Sequence, residues 1–328
     1  MQNLRKRVPT ILTSDEVLDK AFRKVSKIDK QGPDKVELVK RKSMARIASA
    51  TDVISSTFER YVKAFPSIND RGDFLAEMIE VTVGVDQLKK ALSNLDWAAS
   101  KVKELQRQYT SKVMASSSVQ GADSARKAFY GRASSVVNKV APDLEFLAYA
   151  RNEFRKVPDI DEGLLTFVIA GFPNVGKSQF LSLVSSAEPE VAAYPFTTKG
   201  IGVGMHEAGH RRYQVIDTPG LLDRELEDRN RIEMQAVTAL KHLANAILFI
   251  LDPSETCGYP LDRQLRLLES IKGLFPDVPI LVVENKVDLL DSGSDRMKMS
   301  AATGQGVPEV MAALRDSVKH LEKAEPLF

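Results

Sequence analysis

The stretch LLTFVIAGFPNVGKS, residues 164–178, leaves few folds open to the chain that carries it. An apolar run of strand length ends in Gly171-x4-Gly176-Lys177-Ser178 and continues as a helical sequence. A strand that enters a glycine-rich loop and then a helix turns successive backbone N–H groups toward one point. That makes an anion nest at the positive end of the helix. Gly171 and Gly176 permit the tight wrap, Lys177 reaches toward the β- and γ-phosphates of a nucleotide, and the Ser178 hydroxyl is placed to ligate Mg²⁺. Such a loop requires a sheet whose strand ends it can cap, and the surrounding sequence supplies one. LLTFVIAG, RRYQVID, NAILFILD, PILVVENK and RMKMSA are short apolar runs separated by helical stretches, the pattern of a mainly parallel sheet. HEAGHRR at 206–212 reads as a hairpin turn, so one pair is antiparallel and the expected total is six strands.

Three further stretches follow the loop in an order that narrows the ligand. VIDTPG closes a strand with Asp217-x-x-Gly220, where the carboxylate can hold Mg²⁺ through water and the Gly220 N–H can sense a γ-phosphate. ENKVD closes another with Asn285-Lys286-x-Asp288. An aspartate there accepts from guanine N1–H and N2–H₂ together, a pairing that adenine cannot offer, and a missing partner leaves buried polar groups unsatisfied. MSAATGQG at 299–306 adds Ser300 and Ala301, where a backbone N–H can meet guanine O6. The four stretches specify a GTP-binding domain, and an ATP-binding loop protein has no need of the Asn-Lys-x-Asp element. Between loop and DTPG, YPFTTKG (194–200) offers Thr197 and Thr198, either able to ligand Mg²⁺ and sense the γ-phosphate. Leu221 follows Gly220, and its side chain can neither accept nor donate, so hydrolysis needs a cation, a partner residue or a reshaped switch.

The first ~155 residues read differently: they lack strand alternation and are rich in Ala, Leu, Lys, Glu and Ser. Thr13-x-x-Glu16 forms a capping box ahead of Val17, Ala21, Phe22 and Val25 at helical spacing. Further helices are expected at about 34–63, 73–116 and 122–155, the second with Gly84 inside it, and a last one at 307–323. RKVPDIDEG at 155–163 breaks the helical texture. The expected organisation is α + α/β: an antiparallel helical bundle over 1–157, then a P-loop α/β domain with a mostly parallel six-stranded sheet over 158–328. Residues 1–160 hold 29 Lys and Arg against 20 Asp and Glu, whereas 161–328 hold 17 against 24. A basic half joined to an acidic half fits either a polyanion partner for the first or solvated helix faces that are lysine-rich. Lys20, Arg23, Lys24, Lys27, Lys40, Arg41 and Lys42 are the candidate phosphate contacts. No apolar run approaches the ~20 residues of a membrane span. The N-terminus lacks the apolar region of a secretory signal, and the single cysteine, Cys257, rules out an internal disulfide. Four histidines and that cysteine show no metal-ligand spacing.

With these residues in place, the chain resembles the Nog-type nucleolar GTP-binding proteins among the Obg-related GTPases. VPTILTSDEVLDKAF, YPFTTK, DTPGLLDRELEDRNRIEMQAVTALKHL and DPSETCGYPLDRQ carry the likeness, over nearly the whole chain. The resemblance implies a GTPase that assists assembly of the large ribosomal subunit, its helical domain set against rRNA, with GTP or GDP and Mg²⁺ as cofactors. It implies that Gly171, Pro173, Asn174, Val175, Gly176, Lys177, Ser178 and Gln179 form the phosphate-binding stretch, Gln179 standing where the family often has serine and lacking a direct contact. Likeness to GTPases with paired threonines favours Thr198, with Ser178 and Asp217, as the metal set, and Lys177, Thr198, Gly220 and Asn174 as the hydrolytic group. In PNVGKS loops the asparagine often holds a K⁺, so the expectation on slow intrinsic hydrolysis is either K⁺ stimulation through Asn174 or an asparagine that only braces the loop. The long C-terminal extension of the eukaryotic proteins is not seen, which makes the chain look like the archaeal form. A cytoplasmic location and a free monomer are expected. Two other readings share the motifs: a GTPase that regulates an RNA-modifying or stress-signalling enzyme, and a module that holds GTP without turning it over.

Overall fold

The computed structural model describes residues 8–26, 34–66, 74–156, 160–192, 200–223 and 237–321. They divide into two units. One comprises Lys6–Ser67 and Val83–Phe154; the other takes in Ile68–Thr82 and Arg155–Phe328.

The first unit is helical: α1 (Ser14–Ser26), α2 (Lys35–Ala64), α4 (Val85–Ala115), α5 (Val119–Lys139) and α6 (Ala141–Phe154). α1 opens with the expected capping box. The Thr13 N–H donates to Glu16 Oε2 at 2.8 Å and the Glu16 N–H donates to Thr13 Oγ1 at 3.3 Å. Asp34 caps α2 by accepting from the Glu37 N–H at 2.8 Å, and Ser118 caps α5 by accepting from the Gly121 N–H at 3.0 Å. α2 and α4 run antiparallel. Lys40 near the start of α2 donates to the Met114 carbonyl near the end of α4, while Glu59 late in α2 meets Lys103 in the middle of α4. Ile47, Ile54, Phe58 and Tyr61 of α2 and Leu88, Leu95 and Val102 of α4 are buried between them and their neighbours. Tyr61 hides its ring and still satisfies its hydroxyl, which accepts from the Leu12 N–H at 3.0 Å. The expected 122–155 helix is divided at Val140, two residues before Pro142, whose missing N–H and bulky ring interrupt the hydrogen-bond ladder of the incoming helix.

The long helix expected over 73–116 is also two. α3 (Phe74–Thr82) ends before Gly84, whose φ of +81° redirects the chain, and α4 begins at Val85. Phe74 and Met78 of α3 pack into the core of the second unit, whereas Leu88 and Leu95 serve the helical one. The segment expected as one helix over 73–116 therefore serves two cores.

The second unit is a seven-stranded sheet in the order β2-β3-β4-β1-β5-β6-β7. Its strands are β1 (Leu165–Ala170), β2 (Glu190–Ala192), β3 (Ile201–Ala208), β4 (Arg211–Asp217), β5 (Ala244–Leu251), β6 (Ile280–Glu284) and β7 (Met297–Lys298). β2/β3 and β3/β4 are antiparallel and the remaining four pairs parallel. The expectation of six strands is corrected to seven. The added one, β2, has three residues at an edge with Val191 exposed, too short to show alternation. Central strands β1 and β5 are nearly continuously buried, as strands covered on both faces must be. Helices α7 (Lys177–Val184), α8 (Leu261–Leu274) and α9 (Val307–Val318) also belong to this unit. The carboxyl ends of β1, β4, β5 and β6 deliver the loops that contain Lys177, Asp217, Asp252 and Asn285. In an open parallel sheet that edge is where ligands bind.

Candidate nucleotide site

The loop after β1 takes a conformation that few residues tolerate. Gly171 has φ +135°, Asn174 +63° and Gly176 +104°. A Cβ at Gly171 would lie 2.5 Å from the Ile250 carbonyl oxygen, and one at Gly176 would lie 2.2 Å from Asn285 Nδ2. Phe172 and Val175 are buried and Pro173 half-buried, which pins the loop to the core; Asn174, Ser178 and Gln179 are exposed. Lys177 is buried and its Nζ donates to the Gly171 and Phe172 carbonyls at 2.7 and 2.8 Å. Its charge is thereby held inside the curve of the loop, at the N-terminus of α7.

Asp217, at the end of β4, is brought to the same point. Ser178 Oγ donates to Asp217 Oδ2 at 2.6 Å. Asp217 is 2% exposed, and its Oδ1 has no hydrogen-bond partner among the described residues. Burial raises the carboxyl above the usual aspartate range, opposed by the Ser178 hydrogen bond and the Lys177 charge. A buried, uncompensated carboxylate oxygen beside a hydroxyl is a fitting donor set for a hard cation such as Mg²⁺. Farther along, the Gly220 N–H donates to Asp223 Oδ2 at 2.7 Å, so the group expected to sense a γ-phosphate already has an anionic acceptor. Leu221 is 1% exposed and belongs to the core, so its side chain is directed away from solvent. Thr197 and Thr198 lie outside the described residues.

At the other end of the site, Asn285 is a brace. Its Nδ2 donates to the Val175 carbonyl at 2.7 Å and its Oδ1 accepts from the Ala301 N–H at 2.8 Å. One 2%-exposed side chain thus ties the phosphate loop to the Ser300 loop. The Ala301 amide expected to meet a base oxygen is engaged by Asn285, and a base would share it. Asp288 is exposed and its Oδ1 accepts from Ser300 Oγ at 2.5 Å, a bond that orients the carboxylate. Lys286, at φ +66°, points its Nζ to Asp252 Oδ2 at 2.7 Å and Thr256 Oγ1 at 2.8 Å. Asp252 is the residue that motif reading passes over. Its signal in the sequence is an aspartate at a strand end followed by Ser254 and Thr256, the spacing of side chains that fold back on a carboxylate.

In the helical unit the candidate phosphate contacts scatter. Lys20 and Lys24 are exposed on α1, and Lys24 borders a recess of about 350 Å³. Arg23 pairs with Asp19 at 3.1 Å, Arg41 with Glu37 at 3.0 Å, and Lys40 donates to a main-chain carbonyl. Lys42 is half-buried, and Lys27 lies outside the described residues. Sequence reading missed Lys103 and Arg107, one helical turn apart on α4, which line a recess of about 750 Å³ with Asp52, Gln106, Thr110 and Met114. Arg60 and Lys63 of α2 line a third recess that shares Ser56 and Glu59 with the one at Lys24. The three adjoin along α1, α2 and α4 through Asp52, Ser56, Glu59 and Lys103, and five cations line them against two carboxylates, with Lys103 paired to Glu59.

A phosphate loop on a parallel strand, a carboxylate and hydroxyl for a cation, and an Asn-Lys-x-Asp element braced against that loop define the P-loop GTPase class. Residues 6–161 match the profile of the NOG1 N-terminal helical domain and residues 231–288 that of Nucleolar GTP-binding protein 1 (NOG1). An uncharacterized protein of Methanocaldococcus jannaschii is 41% identical over 87% of this chain and 81% of its own length. Nucleolar GTP-binding protein 1 of Drosophila melanogaster is 36% identical over 84% of this chain but 42% of its own length. A solved structure assigned as nucleolar GTP-binding protein 1 of Plasmodium falciparum is 36% identical, covering 50% of this chain and 91% of that one at a TM-score of 0.46. The chain belongs to the NOG1 family of GTP-binding proteins. It spans about half or less of the length of the curated eukaryotic relatives it matches. The expected cytoplasmic location is corrected by those relatives, which are named nucleolar; a globular domain's composition carries no address of its own. Among the described residues no helix is long and apolar enough to cross a membrane.

Proposed function

We propose that this chain binds GTP and hydrolyses it to GDP and phosphate, as a nucleotide-dependent assembly factor for the large ribosomal subunit. The observation that carries the nucleotide reading is the Asn285 brace, which fixes Asp288 and Lys286 at a set distance from the phosphate loop. Lys177 releases the Gly171 and Phe172 carbonyls to meet the β- and γ-phosphates, and the backbone N–H groups through Ser178 cradle them. Ser178 and Asp217, with Thr198, would hold Mg²⁺, which when bound neutralises charge between those phosphates. Gly220 exchanges Asp223 for the γ-phosphate, so nucleotide state and the chain after residue 220 move together. With Leu221 buried, water is oriented by something other than that side chain, and turnover is slow until a partner or K⁺ at Asn174 assists. Equal rates in K⁺ and Na⁺ would remove the role given to Asn174.

The ribosomal part is supported by family membership, by the name nucleolar carried by the eukaryotic relatives, and by the basic excess of residues 1–160. Folded RNA is bound largely through its phosphates and read by shape. The set of recesses lined by Lys24, Arg60, Lys63, Lys103 and Arg107, with Lys20, Lys40 and Lys42, is the proposed contact surface. Gradient sedimentation of the protein with GTP, GDP or a non-hydrolysable analogue tests this. Nucleotide-dependent co-sedimentation with large subunits or their precursors is expected, with steep loss as salt rises and loss in Lys103→Glu/Arg107→Glu. Sedimentation free of ribosomal particles in every nucleotide state would defeat it.

A further inference from the structure

We infer that Asp252 is a positioning residue for guanine recognition: it anchors Lys286 so that the lysine stem forms a fixed rail for the base. The inference rests on the guanine reading of the Asn285-Lys286-x-Asp288 element and adds a residue from outside it. Asp252 is fully buried, at 0% exposure, at the carboxyl end of β5, and five donors converge on its carboxylate. Oδ1 accepts from the Ser254 N–H at 3.0 Å and Ser254 Oγ at 2.5 Å. Oδ2 accepts from the Cys257 N–H at 2.8 Å, Thr256 Oγ1 at 3.2 Å and Lys286 Nζ at 2.7 Å. The backbone beneath is clamped by the buried Gln264 of α8. Gln264 Oε1 accepts from the Asp252 N–H at 2.8 Å, and Gln264 Nε2 donates to the Asp252 carbonyl at 3.0 Å. A carboxylate so fully satisfied is anionic and has no freedom to turn.

Lys286 meets this fixed point from a backbone that does not favour it, at φ +66°. Its ammonium is divided between Asp252 and Thr256, so both ends of the four-carbon stem are fixed. Asp288, two residues on, is oriented by Ser300, and Asn285, one residue before, is tied to Val175. A base held by Asp288 therefore lies against the same short segment, where an anchored methylene stem offers an ordered apolar face. Without the anchor, the lysine samples rotamers and each binding event must order it. The role differs from a simple staple between β5 and β6, because it predicts an effect confined to ligands that carry a base.

The test uses the full chain with GDP and with Mg²⁺-pyrophosphate, which occupies the phosphate loop and has no base. In Asp252→Asn, GDP affinity is expected to fall at least tenfold through faster dissociation, while pyrophosphate affinity stays within twofold of wild type. Thr256→Val leaves the carboxylate and removes one acceptor, and a smaller loss of GDP affinity, about threefold, is expected with pyrophosphate again unchanged. Should Asp252→Asn fail to fold, Thr256→Val alone decides. Equal weakening of GDP and pyrophosphate, or unchanged GDP binding in the folded variants, would overturn the inference. A wild-type chain that binds pyrophosphate but not GDP would overturn the guanine reading itself.

Discussion

Gly176→Ala isolates what the phosphate loop contributes. At φ +104° a non-glycine residue is strained by about 1–3 kcal/mol. The new Cβ would lie 2.2 Å from Asn285 Nδ2, closer than side chains tolerate, so Asn285 must move. That separates the buried Nδ2 from the Val175 carbonyl, a loss of about 1–3 kcal/mol when a buried polar group goes unpaired. The two effects sum to about 2–6 kcal/mol, against the ~5–15 kcal/mol that holds a typical domain. Gly209→Ala is the control: φ is +62° and nothing lies within 4 Å of the added Cβ, so only the left-handed strain of about 1–2 kcal/mol remains. Urea unfolding of the full chain followed by circular dichroism, with GDP binding measured on the same samples, reads both. Gly176→Ala is expected to lower stability further than Gly209→Ala. Because the displaced Asn285 also serves the base end, GDP affinity is expected to fall about 5- to 150-fold in Gly176→Ala and not at all in Gly209→Ala. Matching behaviour of the two variants in both assays would refute the argument that Asn285 links loop to base.

Asp217→Asn should separate stability from ligation. Burial raises the folded carboxyl, so the charged form costs stability above that raised value and the cost is relieved as pH falls. The asparagine variant is therefore expected to melt, without ligand at neutral pH, no lower than wild type, while the Mg²⁺ dependence of nucleotide binding disappears; a destabilised variant that keeps its Mg²⁺ dependence would contradict this. Glu284 shows the opposite sign. Burial raises its carboxyl, but hydrogen bonds from Ser292 and Arg296 outweigh that and hold it below the usual glutamate range. Its stabilisation is present above the unfolded value of about 4.3 and is lost as pH falls through the depressed folded value. Glu284→Gln should cost about 1.5–3 kcal/mol at pH 7, with the gap to wild type closing below pH ~4; a gap that does not change with pH would exclude the carboxylate as its source.

The nucleotide elements were legible because each is short and sits at a strand end: Gly171 to Ser178, Asp217 to Gly220 and Asn285 to Asp288 need only local spacing. What joins them was not. Asn285 reaches Val175 across 110 residues, and Asp252 reaches Lys286 across 34. No periodicity reports a pairing made only when β5 and β6 lie side by side. The segment expected as one helix over 73–116 is two; apolar spacing does not say which core receives it, and Gly84 is the mark of its division. β2 was invisible for want of length. On the helical unit, sequence charge could not show that Arg23 and Arg41 are paired along their own helices, nor that Lys103 and Arg107 share a groove with α2 residues.

The central claim, that Asp288 in its braced setting selects guanine, is tested most directly by equilibrium binding of GDP, ADP and xanthosine diphosphate to the full chain and to Asp288→Asn. Guanine offers two donors to the carboxylate, whereas xanthine offers one donor and one acceptor, which an asparagine amide matches. Wild type is expected to prefer GDP over ADP by about 10⁴-fold or more, as sites built to hydrogen-bond a substrate group do when that group is missing. The variant is expected to exchange GDP for xanthosine diphosphate. Comparable affinity of wild type for ADP and GDP, or a variant that still prefers GDP, would contradict the account.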